Sequence, residues 1–170
     1  MSYNNSGYLI KKDLNEKLFT DFFLSFVRIC RIYAPSYFKN KKKYNGWNCS
    51  SLSKNLILLR KKEPKKFSQI YDSLQKSNTV KRLLLKNNFY SMASKFLNLT
   101  IKQLRSVNYY LRMDVPYDVK NVLDWHQDYA DRVLCTIWCP LVNVNKKNGT
   151  LKILSKSHKD KSQSNKNDLK

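Results

Sequence analysis

No two cysteines in this chain stand at Cys-x-x-Cys spacing; the four are Cys30, Cys49, Cys135 and Cys139. That removes the framework of a structural zinc site, and Cys135 with Cys139, on one face of an extended strand, read as small buried apolar residues. No apolar run approaches the length of a membrane span. The polar N-terminus and the short run Phe22 to Ile29, closely preceded by Asp21, do not have the form of a secretory signal, so a reducing cytoplasm is the expected compartment. No internal repeat emerges. Glycine and proline are scarce, at 3 and 4 residues, and there are only 2 histidines, His126 and His158. A metal or proton-transfer site that uses histidine must therefore use one of those two.

Acidic residues are also few. The 12 Asp+Glu against 33 Lys+Arg give a net charge of +21 over 170 residues. Such a balance suits a polyanionic partner, nucleic acid or an anionic membrane surface. The composition offers a plainer source, because Lys greatly outnumbers Arg while Asn, Tyr, Phe and Ile abound, as in an AT-rich coding sequence. The lysines are spread through every segment, and the runs Lys39 to Lys43 and Lys61 to Lys66 read as solvated loops. No specific nucleic-acid partner is expected.

What is present begins with helices. The length fits one domain able to bury a core. Tyr8 to Lys11 reads as a short strand after Gly7. Asp13 then opens a helix, with Glu16 three residues on in a capping-box pattern. Leu14, Leu18, Phe22, Phe26, Ile29 and Tyr33, together with Phe19, Phe23, Val27 and Cys30, recur at helical spacing in a wide buried stripe, and Pro35 stops it. The polar stretch from Lys39 to Ser53 is expected to be a long exposed loop. Asn55 to Leu59 has no decisive period. Glu63-Pro64 opens a helix with Phe67, Ile70, Tyr71 and Leu74 on one side. Another starts at Asn78 or Thr79, and a third covers Tyr90 to Leu99.

From Gln103 the period changes. Leu104, Val107, Tyr109, Leu111 and Met113 approach alternation, which predicts strands up to Asn148-Gly149 and hence an α+β domain. Asn148-Gly149 suits a tight turn between Leu141-Val142-Asn143-Val144 and Leu151-Lys152-Ile153-Leu154.

The chemistry concentrates in Leu123-Asp124-Trp125-His126-Gln127-Asp128. On an extended segment His126 and Asp128 project to one side, where a single metal ion can take both, as two members of the 2-His-1-carboxylate triad of non-haem Fe(II) sites. The plainer alternative is an aspartate that orients a histidine. The chain continues with Val133-Leu134-Cys135-Thr136-Ile137-Trp138-Cys139-Pro140-Leu141, then Lys147-Asn148-Gly149-Thr150, then Ser157-His158-Lys159. In this order, over roughly Arg112 to Lys159, the segments resemble the phytanoyl-CoA dioxygenase family of Fe(II)/2-oxoglutarate oxygenases. The Gly7-Tyr8-Leu9-Ile10 opening followed by a helix is similar to the family's start.

The resemblance implies an N-terminal helical layer followed by a double-stranded β-helix, a jelly-roll or cupin-like sandwich with the metal at its mouth. It implies Fe(II) on His126 and Asp128, 2-oxoglutarate as cosubstrate, O₂ as the second cosubstrate, and a small-molecule or acyl-conjugate substrate to be hydroxylated. Trp138 matches an aromatic residue that lines the cosubstrate pocket, and reads equally as a core residue. Arg112, alternating with Leu111 and Met113, either meets a carboxylate in the barrel mouth or forms a surface salt bridge. Ser155-Lys156 stands where the family has Pro-Gly, and lysine suits positive φ poorly. The family's second iron-binding histidine and its 2-oxoglutarate arginine lie past the Ser-His-Lys segment. The expectation is thus a single domain over 1–159, an incomplete β-helix, and a disordered basic tail over 160–170. His158 aligns with a family histidine that is not an iron ligand, but it is the one other histidine available.

Three functions follow: an oxygenase incomplete or inactive as it stands, a non-catalytic structural or interaction protein, and a basic nucleic-acid module. If the charge is compositional, binding to duplex DNA is expected to be weak, without base preference, and to fall steeply with salt. Fluorescence anisotropy from 50 to about 200 mM salt checks this; sequence-selective binding that persists would contradict it.

Overall fold

The computed structural model describes residues 6–12, 14–39, 44–104, 109–114, 125, 126, 128 and 135–159. Parts of the sequence reading fall outside these: Asp13, Asn40 to Lys43, Val107, Leu123, Asp124, Gln127, Val133, Leu134 and the tail over 160–170.

Helix α1 (Glu16–Tyr33) is the centre of the architecture. Its start is set by Asn15, whose side-chain oxygen accepts the Leu18 N–H at 3.3 Å, two residues beyond the Asp13 start expected from the capping-box pattern. The expected stripe is buried: Phe22, Phe23, Phe26, Val27 and Cys30 lie in the core, with Leu18, Phe19, Ile29 and Tyr33 packed at its margin. The helix stops at Ala34, and Pro35 opens the one-turn helix α2 (Pro35–Phe38). Helix α3 (Ser50–Lys62) absorbs the ambiguous Asn55 to Leu59 run. Then come α4 (Pro64–Gln75), α5 (Asn78–Lys86) and α6 (Phe89–Leu97), close to the bounds read from sequence. Pro64 and the Ser77 cap set the first two starts.

Helix α1 packs against α2, α4 and α5, while α3 pairs with α4 and α5 with α6. Phe38, Leu52, Leu59, Ile70, Leu74, Val80 and Leu83 close over the α1 stripe. The stretch before α3 corrects the exposed-loop expectation. Trp47 turns inward, its ring 5.3, 5.2 and 5.2 Å from those of Phe22, Phe23 and Phe26. The Asn55 amide fixes this loop by donating to the Tyr37 carbonyl at 2.6 Å and the Tyr44 hydroxyl at 2.8 Å.

The α+β expectation, with its double-stranded β-helix, is overturned. Among the described residues every regular element is helical and none is a strand. Alternation nevertheless survives in 109–114: Tyr109, Leu111 and Met113 pack on the helical core, while Tyr110, Arg112 and Asp114 face solvent. What differs is the partner. The Gln75 amide donates to the Tyr109 carbonyl and accepts the Leu111 N–H at 2.9 Å, taking the backbone groups a neighbouring strand would use. Tyr71 donates to the Leu111 carbonyl and Arg60 to the Met113 carbonyl at 3.0 Å.

The expected turn at Asn148-Gly149 forms, without a hairpin ladder. Asn148 accepts the Asn145 N–H at 2.6 Å and donates to the Asn143 carbonyl at 2.7 Å, and Asn145 accepts the Lys147 N–H at 2.8 Å. Those bonds occupy backbone groups at the root of the turn, a local competition with pairing. Asn48 accepts the Asn143 N–H at 2.8 Å and ties this region to the loop before α3. Tyr8 to Lys11, expected as a short strand, lies in no regular element.

Replacing Gln75 by Ala should leave the Leu111 N–H and Tyr109 carbonyl without their partner, at a cost of about 1–3 kcal/mol. Urea denaturation and faster hydrogen exchange at the Leu111 amide are the expected readouts; an unchanged Leu111 exchange rate would contradict the clamp.

Candidate metal centre

His126 and Asp128 stand two residues apart in sequence, and no strand occurs among the described residues around them. His126 Nε2 is 3.3 Å from Asp128 Oδ1, and the side chains are 51% and 45% exposed. Two adjacent octahedral ligands about 2.1 Å from one ion stand roughly 3 Å apart, so this separation serves an ion held by both as readily as a direct N–H···O contact. The half-exposed position leaves room for water or further ligands.

The second carboxylate oxygen is engaged. Thr136 Oγ1 donates to Asp128 Oδ2 at 2.8 Å, which turns Oδ1 toward the imidazole. Such outer contacts fix the orientation of ligating groups. Thr136 had no assigned role in the sequence; the available signal was a lone hydroxyl between Cys135 and Ile137 on a segment close behind the pair.

Among the described residues no group of three His, Cys, Asp or Glu side chains can hold a metal ion. The Arg112 guanidinium binds Asp114 Oδ1 through Nε at 3.3 Å and an Nη at 3.1 Å, the surface salt bridge of the two alternatives. Trp138 is 45% exposed, in a segment where Ile137, Val142, Leu151, Ile153 and Leu154 are also 40–58% exposed.

His158 has a different neighbour. It sits in the short 3₁₀ turn Ser157–Lys159, with its imidazole against Gly7, where an added Cβ would collide with the ring. Gly7 has φ +81°, so both its conformation and its surroundings call for glycine. The Lys156 N–H donates to the Ser6 carbonyl at 3.0 Å, which ties the segment before α1 to the Ser157–Lys159 turn. Lys156 takes φ +70°, a left-handed conformation that glycine adopts freely and lysine only with strain.

Comparison of the chain with family models, with curated proteins and with solved structures finds no match.

The thiols are the other reactive groups. Burial pushes Cys30 up to about 12. Burial also raises Cys135 and Cys139, in keeping with small apolar residues. Cys49 moves the other way, lowered first by its contact with the Ser51 hydroxyl at 3.1 Å and then by the Leu52 N–H. Thiolate is the reacting form, so at pH 8 a thiol near 12 is ionised to only about one part in ten thousand. Iodoacetamide at pH 8 should modify Cys49 first and Cys30 last, as read by peptide mass spectrometry. Early labelling of Cys30 in folded protein would contradict its place in the core.

Proposed function

We propose that this chain carries two protein ligands of an Fe(II) site of the 2-oxoglutarate-dependent oxygenase type, His126 through Nε2 and Asp128 through Oδ1. The observation that carries the reading is their 3.3 Å juxtaposition with the second carboxylate oxygen held by Thr136. An imidazole nitrogen and a carboxylate oxygen are the donor set this ion takes, and two donors leave positions for cosubstrates. When bound, Fe(II) supplies a redox-active Lewis acid at which O₂ and 2-oxoglutarate can react.

The chain's residues act by placement. His126 presents a ring nitrogen, Asp128 one carboxylate oxygen, and Thr136 prevents the carboxylate from rotating away. Arg112 can meet the distal carboxylate of 2-oxoglutarate only by exchanging its contact with Asp114. The substrate class stays broad, a small molecule or an acyl conjugate. The exposed apolar side chains from Ile137 to Leu154 favour a second reading, a non-catalytic interaction protein in which the His126-Asp128 contact is a surface ion pair.

Anaerobic titration with Co(II), a spectroscopic substitute for Fe(II), separates the two. The oxygenase reading expects one weak site per chain, abolished in His126→Ala and in Asp128→Asn, and weakened about tenfold in Thr136→Val through loss of the orienting contact. Equal Co(II) affinity in wild type and His126→Ala would leave the interaction reading.

A further inference from the structure

The short bridge between the turn over 146–149 and the Ser157–Lys159 turn is pinned at both ends and bare in between. On one side the Thr150 N–H donates to the Asn145 carbonyl at 3.3 Å, and Asn48 holds the Asn143 N–H at 2.8 Å. On the other the Ser157 N–H donates to the Leu154 carbonyl at 3.3 Å, and the Lys156 N–H to the Ser6 carbonyl at 3.0 Å. Between these anchors Leu151, Ile153 and Leu154 are 50%, 50% and 58% exposed, and Lys152 among them is exposed too.

Backbone that lies on a core hides one side chain in two, as 109–114 does in this molecule. In 151–154 consecutive side chains are exposed, so this bridge stands clear of the core. Aliphatic side chains left in water are unfavourable, and a contiguous run of them marks a surface that a partner covers. The flanks say what kind of partner. From Cys135 to Lys159 the sequence has five lysines and no Asp or Glu. Lys146, Lys147, Lys152 and Lys156 are exposed just before, within and just after the aliphatic run. Lysine is common throughout the chain; what sets this stretch apart is that its lysines flank aliphatic side chains the core leaves bare.

We propose that the bridge 151–154 docks on an anionic phospholipid surface, with Leu151, Ile153 and Leu154 entering the interface and the four lysines meeting the headgroup charge. A bilayer sets a layer of negative charge directly above an apolar layer, and an aliphatic tip between lysines matches that order. Lys152 fits between two inserted neighbours because its methylene stem can lie among acyl chains while its ammonium group returns to the headgroups. Nucleic acid is matched less well, since bases stack on aromatic rings and this tip has none. Anchoring at both ends holds the tip out, so insertion requires no part of the helical core to open. The proposal uses none of the residues of the His126-Asp128 centre.

The test is co-sedimentation of the full chain with phosphatidylcholine vesicles, with and without about 30 mol% phosphatidylserine, at physiological salt. Wild type should bind the anionic vesicles and bind the neutral ones far less. Ile153→Ser/Leu154→Ser leaves the charge unchanged and should weaken binding at least about tenfold. Lys146→Gln/Lys147→Gln should weaken it about as much, whereas Lys61→Gln/Lys62→Gln, which removes equal charge from the end of α3, should stay within about twofold of wild type. All six positions are at the surface or half-exposed, and thermal unfolding of each variant checks that the fold is retained. His126→Ala should bind vesicles as wild type does, so the result stands apart from the fate of the metal centre. Absence of binding by wild type, unchanged binding by the Ile153/Leu154 variant, or equal weakening in both lysine variants overturns the proposal. Self-association or duplex DNA binding that requires Ile153 and Leu154, without vesicle binding, overturns it in favour of a second copy of the chain or of nucleic acid.

Discussion

Covering one face of α1 is the constraint on which the rest depends. Phe22, Phe26 and Cys30 have at most 1% exposure, a degree of burial that one helix cannot provide for itself. Each buried aromatic or aliphatic side chain contributes about 1.5–3 kcal/mol, so leaving the stripe open would forfeit much of a small domain's stability. Helices α2 to α5 are arranged to close over it, and Trp47 is drawn from an otherwise polar loop to fill the remaining gap. Its indole Nε1 is buried without a hydrogen-bond partner among the described residues. That orphan costs about 1–3 kcal/mol, which three ring contacts and the burial of a large aromatic surface offset.

Side-chain amides shape what lies outside that core. Extended backbone needs partners for its N–H and C=O groups, and a β-sheet is only one way to provide them. Gln75 reads the edge of 109–111 much as a strand would, Asn48 takes the Asn143 N–H, and Asn145 with Asn148 bond the backbone of their own turn. The alternating apolar pattern of 109–113 is satisfied by the helical layer in the same way, one face packed and the other wet. The later extended segments have no such cover, so Leu151, Ile153 and Leu154 remain half-exposed or more.

Contacts in this chain have two physical origins. His126 and Asp128 are neighbours because of a spacing of two, and Thr136 refines a juxtaposition that local geometry already supplies. Other contacts come from tertiary convergence: Asn87 accepts the Asn15 N–H and joins the start of α1 to the end of α5, seventy-two residues apart in sequence.

The helical half was legible because helix formation is governed by short-range signals: the α1 stripe, Pro35, Pro64 and the polar cap before Val80. The His126-Asp128 contact was legible for the same reason, since residues two apart in sequence need no third element to meet. Whether alternating residues become a sheet depends on what backbone or side chain reaches their edges, and only the tertiary structure placed Gln75 there. It also decided that Trp47 packs on the core, that Arg112 binds Asp114 and that His158 lies against Gly7. A charge or an aromatic ring carries no mark in the sequence of the neighbour it will meet; burial and the need to pair every backbone group select that neighbour only when the chain is packed.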